Sequence, residues 1–152
     1  MLNQEEKPII KKIMEKESAI KVLQEIKENI AGVNLDSICE ENATIKAEDL
    51  QDITLKRVIQ AIQCGLVYWD DKENVLVQKL IKPLISGELE AKELKYKNRL
   101  CIKELKNINT ENQLDLLEKT LSQITGRAPH LIGKLTGQDI HIATGCLSFF
   151  AV

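Results

Sequence analysis

Large aromatic side chains are scarce in this chain: Tyr68, Trp69, Tyr96, Phe149 and Phe150 make up 3% of its 152 residues. A core must therefore be built from Ile and Leu, and any site that works by aromatic stacking is confined to those five positions. Lysine and arginine (21) are balanced by aspartate and glutamate (23), so the net charge of -2 disfavours a strongly basic nucleic-acid binder. No apolar run reaches the roughly 18–20 residues needed to span a bilayer. The start, MLNQEEKPIIKK, has early acids and no apolar centre, so it does not read as a secretory signal.

Paired metal-ligand spacing is missing as well. Cys39, Cys64, Cys101 and Cys146 lie 25, 37 and 45 residues apart, with no C-x-x-C pair, so a zinc site fails on spacing. With no secretory signal, these thiols are expected to be reduced, mostly buried and cytoplasmic. His130 and His141 have no cysteine or carboxylate at ligand spacing. No G-x-S-x-G, H-E-x-x-H or phosphate-loop pattern occurs. Asp70, Asp71 and Glu73 cluster without the glycine-centred spacing of a calcium loop, and read as a solvated hairpin tip. The chain therefore reads as a non-enzyme with no cofactor and no metal.

What is present is periodic. Hydrophobic residues (43%) and charged residues (29%) are in the range of an ordinary soluble domain. Residues 8–31 carry Ile9, Ile10, Ile13, Met14, Ile20, Leu23, Ile26 and Ile30 near a helical stripe, with Pro8 suited to the first turn and Gly32 as a stop. Residues 33–50 hold five acids and one Lys, a solvated stretch. Asp52 or Thr54 caps a helix over Leu55–Cys64, with Leu55, Val58, Ile59 and Ile62 on its apolar face and Gly65 behind it.

The period then changes. LVYW (66–69) and VLVQKLI (75–81), joined by DDKEN, read as a hairpin, with Pro83 ending or edging its second strand. Ser86-Gly87 turns the chain into a third strand over 88–97. There the apolar parity shifts between Ala91 and Leu94, the mark of a bulge or of a strand in two parts. Helical patterns return at 101–108, after a Thr110-x-x-Gln113 capping box, and from Gly137 to Phe150. Ile140, Ala143, Leu147 and Phe150 form the expected face of the last helix, and Thr136 with Asp139 form its start. The class is α+β: a small antiparallel meander flanked by helices. The expected division is a helical N-terminal extension over 1–65 and an α+β domain over 66–152.

Residues 79–106 carry eight basic residues and four Glu, interleaved with Tyr96, and read as a solvent-facing sheet side rather than a nucleic-acid platform. The apolar chain end offers a different surface. Leu135, Ile142, Leu147, Phe149 and Phe150 are the candidate partner-binding side chains.

Residues 76–150 resemble the tail assembly chaperones of Mu-like contractile-tailed phages. The matching positions are Leu80, Lys82, Pro83, Gly87, Glu93, Leu94, Tyr96, Arg99 and Leu105, then Leu121, Thr125, Gly126, Pro129, Leu135, Asp139, Phe149 and Phe150. The resemblance covers about half of the chain, and residues 1–75 depart from it. It implies a non-enzymatic role in the host cytoplasm. Such a chaperone binds the tape measure protein and keeps it soluble until tail tube subunits polymerise around it. An isoleucine-rich N-terminal helix also allows a homo-oligomer. The alternatives are a structural virion or tail-completion protein and, further down, a helical DNA-binding regulator using Lys56 and Arg57.

Overall fold

The structure, a computed structural model, describes residues 10–32, 53–97 and 113–150. Its elements in chain order are α1 (Lys16–Ala31), α2 (Ile53–Gln63), β1 (Val67–Asp70), β2 (Val75–Ser86), β3 (Leu89–Tyr96), α3 (Gln113–Thr125), α4 (Pro129–Ile132) and α5 (Gln138–Ser148). The strands form one antiparallel sheet in the order β1-β2-β3. The expected α+β class, with a meander among helices and an N-terminal helix, is what the chain adopts.

The helix expected over 8–31 begins only at Lys16. Residues just before it are drawn out of the helix by the end of α2. The Ile13 and Met14 N–H groups both donate to the Gln63 carbonyl, at 2.7 and 3.3 Å. Three of the four predicted helices that can be followed to their ends stop at a positive-φ glycine, Gly32, Gly65 and Gly126; the last ends at Ser148 without one. Thr54 lies inside α2 rather than at its cap. The predicted helix over 101–108, the Thr110 cap, Asp52 and the acidic stretch at 33–50 lie outside the described residues.

Helices line one face of the sheet. The buried cluster takes Ala19, Leu23 and Ile26 from α1 and Val58, Ile59 and Ile62 from α2. It joins them to Leu76, Leu94 and Tyr96 of the sheet and to Ile142, Ala143 and Cys146 of α5. Residues on either side of the 65/66 boundary thus share one core. The other face of the sheet carries Tyr68, Lys79, Lys95 and Glu93. Val77 is buried there, outside the helix-facing cluster. Lys79 Nζ lies 5.7 Å from the Tyr68 ring, and Lys95 Nζ pairs with Glu73 at 2.8 Å. Asp70 Oδ1 accepts the Lys72 and Glu73 N–H groups, which closes the β1–β2 turn.

The register contains the irregularity that the parity shift predicts. Lys79 pairs with Glu93 and Leu84 with Ala91, so residues 80–83 of β2 stand opposite Lys92 alone. The extra residues are on β2, not β3. Pro83 does not end the strand, which runs through it to Ser86; it lies past the end of β1, where β2 is open on one side. Pro83 is tolerated because it falls in the bulge, where no ladder hydrogen bond needs its missing N–H.

The β2–β3 turn is the two residues Gly87 and Glu88. Gly87 has φ +62°, whereas Glu88 is not in the positive-φ region, the pattern of a II′ turn. Gly87→Ala is expected to cost about 1–2 kcal/mol through backbone strain alone. Nothing lies within 4 Å of an added Cβ, so packing is unaffected. Urea unfolding should show a lowered midpoint with an unchanged slope.

Candidate functional site

The most chemically distinct place in the described residues is where α5 begins against the β2 bulge. Once β1 has ended, the β2 backbone on that side has no strand partner. The Lys79 N–H reaches Leu66 O at 2.6 Å. The next donors are met by a side chain. Asp139 Oδ1 accepts the Ile81 N–H and Oδ2 accepts the Lys82 N–H, each at 3.0 Å. Asp139 is only 2% exposed. It sits in the first turn of α5, where the helix dipole favours negative charge. Its expected role in a capping box is not what the structure shows: Gly137 holds the cap position, and the carboxylate turns to the sheet.

A second polar group lies beside it. Gln78 is fully buried; its Nε2 donates to Asp139 O at 3.2 Å, and its Oε1 accepts the Tyr96 hydroxyl at 2.6 Å. Tyr96 stands opposite Leu76, so Gln78 is its diagonal cross-strand neighbour. The buried Cys146 thiol of α5 interacts electrostatically with the Tyr96 hydroxyl. Burial pushes the Tyr96 hydroxyl well above its usual pKa, and the Cys146 thiol is pushed up for the same reason. Asp139 is raised by burial, with the Ile81 and Lys82 N–H groups opposing. A thiol held neutral and out of water is a poor nucleophile. The arrangement suits fastening three elements together.

Sequence reasoning missed Gln78, although its signal was available. In VLVQKLI it is two residues from both Leu76 and Leu80, so period 2 places it on the inward face. Tyr96→Phe is expected to destabilise the fold by about 1–3 kcal/mol, because Gln78 Oε1 is left buried and unpaired. Adding Gln78→Leu should recover part of that loss, which thermal unfolding of the two variants can measure.

The candidate partner-binding residues are mostly packed. Ile142 (2% exposed) and Phe149 (8%) are in the core, and Leu135, Leu147 and Phe150 are partly buried against it. Phe150 stacks on Tyr96 with ring centroids 6.0 Å apart, and Lys27 Nζ lies 5.7 Å from the Phe149 ring centroid. The buried stripe of α5 is Asp139, Ile142, Ala143 and Cys146, with Phe149 next. This corrects the expected Ile140–Ala143–Leu147–Phe150 face, of which only Ala143 is fully buried; Ile140 is exposed.

The residues of the family pattern fall at structural positions. Lys82 and Pro83 are in the bulge, Gly87 is in the turn, and Leu94 and Tyr96 are in the core. Gly126 ends α3, and Pro129 opens α4. Arg99 lies outside the described residues. Among the described residues no group of His, Cys, Asp and Glu could hold a metal ion, and no helix is long and apolar enough to cross a membrane. No family model, curated protein or solved structure matches the chain.

Proposed function

We propose that this chain is a non-enzymatic phage-type tail assembly chaperone that binds and shields a tape measure protein in the host cytoplasm. The observation that carries the reading is the residue pattern over 76–150, which rests on no matching relative. The pattern consists of residues that define a bulge, a turn, a helix stop and a buried polar contact, as expected of positions that preserve a fold rather than perform chemistry.

The partner surface under this reading is aliphatic. Ile142 and Phe149 are enclosed by the core, so the contacts fall to side chains with accessible surface. Leu147 and Phe150 keep part of theirs, and Ile85 (62% exposed), Leu89 (46%) and Leu116 (44%) present more. Branched aliphatic side chains with charged neighbours suit an amphipathic helical partner.

Co-expression with the tape measure protein encoded beside it tests the reading. A co-purifying complex and a shift of the tape measure protein into the soluble fraction are expected. Unchanged solubility with no complex overturns it. Recovery of the chain from purified particles would instead assign it to the finished tail.

A further inference from the structure

We propose that Asp139 is a proton-operated latch: its ionised carboxylate holds both N–H groups of the β2 bulge, and protonation releases one of them and loosens the hairpin arm beyond it. The proposal stands apart from the chaperone reading.

The two N–H donors are met by different oxygens of one carboxylate, at 3.0 Å each. An ionised carboxylate is acceptor-only on both oxygens. A protonated one carries a hydroxyl, which meets an N–H poorly. The arm that follows, residues 84–91, is held at this end by Leu84 and Ala91, both buried, and by its own turn. Ile85 and Leu89 are exposed on it. The bulge runs straight into the arm's base, Lys82 lying two residues before Leu84.

Among the described residues no ion pair neutralises the carboxylate. Gln78 of β2 contacts the Asp139 backbone, and Tyr96 of β3 bonds Gln78, with Cys146 of α5 beside it. Lys82 contributes its N–H, and it and Lys79 are exposed. His141 on α5, His130 on α4 and Lys134 just after α4 are exposed. Among the described residues no lysine, arginine or histidine of α2, α3, α4 or the sheet forms an ion pair with Asp139. A buried, unpaired carboxylate binds its proton more readily than an exposed one, and the direction of its titration agrees.

Nuclear magnetic resonance of the labelled full chain tests this between about pH 2 and about pH 8. The Asp139 carboxyl carbon should titrate above the ordinary 3.8. The Ile81 and Lys82 amide shifts should follow the same midpoint. Exchange protection of the 84–91 amides should fall about tenfold on the acid side, the effect of losing one hydrogen bond. Asp139→Asn, locked with a single acceptor oxygen, should show that lower protection at every pH. Titration at or below 3.8, arm protection unchanged through the midpoint, or Asn protection equal to that of the ionised wild type each overturn the latch. If Asp139→Asn fails to fold, the wild-type titration decides alone.

Discussion

Gly145→Ala is expected to destabilise the protein by about 2–3 kcal/mol, although alanine is the better helix former. The reason is the crossing of α5 over α2. A Cβ at Gly145 would stand well inside van der Waals contact of Val58 Cγ2, 3.1 Å from Thr54 Cγ2 and 3.3 Å from Thr54 O. The far ends of long side chains can swing aside, but these atoms cannot. Val58 is fully buried and β-branched, so its χ1 is stiff, and the Thr54 oxygen belongs to the helix backbone. Val58→Ala on its own should cost about 1–3 kcal/mol as a cavity. In the double variant the two costs should fall short of their sum by at least about 1 kcal/mol, because the new methyl fills the space that valine left. Chemical denaturation of the four proteins measures the coupling. Strict additivity would mean that the helices do not meet at this point.

Asp139→Ala should cost about 3 kcal/mol, since it strips two partly buried N–H groups of their acceptor at once. Asp139→Asn keeps one acceptor and should cost roughly half of that. The pH dependence separates charge from geometry. Burial raises the folded pKa of Asp139 above its unfolded value. The unfolded chain therefore ionises first, and the contribution of this group to stability is complete below the unfolded value and lost as pH rises through the folded one. Relative to Asp139→Asn, the wild type should gain stability on acidification through that window. The opposite slope would show that the two N–H donors outweigh burial. Global stability and the hold on the arm thus change in opposite senses: protonation removes a charge that burial penalises, yet weakens one hydrogen bond.

Much of the fold can be read along the chain because its signals are local. Gly32, Gly65 and Gly126 mark helix ends, and DDKEN and Ser86-Gly87 mark turns. The shift from Ala91 to Leu94 marks the bulge. Each depends on a few neighbouring residues and a fixed period. The errors have a common cause in partners distant in sequence. Residues 8–31 have one helical stripe, but the Gln63 carbonyl competes for the N–H groups of Ile13 and Met14. The last helix carries apolar residues on most of its sides, so periodicity alone does not select the buried stripe. That choice is made by Asp139 reaching the bulge and by Gly145 admitting Val58. The candidate site was legible as single residues, Asp139 and Tyr96 among them, but not as a group.

The scarcity of aromatic residues shows the same division. Composition determined that the core would be mainly aliphatic, and the order of residues that all five large rings would lie in residues 68–150. Together with period and turn residues it determined an α+β meander among helices. Only the tertiary structure decided that Tyr96 would be buried with its hydroxyl on Gln78, that Phe150 would stack on it, and that α1 and α2 would complete the same core. The physical reason is range. Propensity and periodicity act over a few residues, whereas a buried polar group is satisfied only by partners that folding brings together. Here those partners are residues 78, 96 and 139.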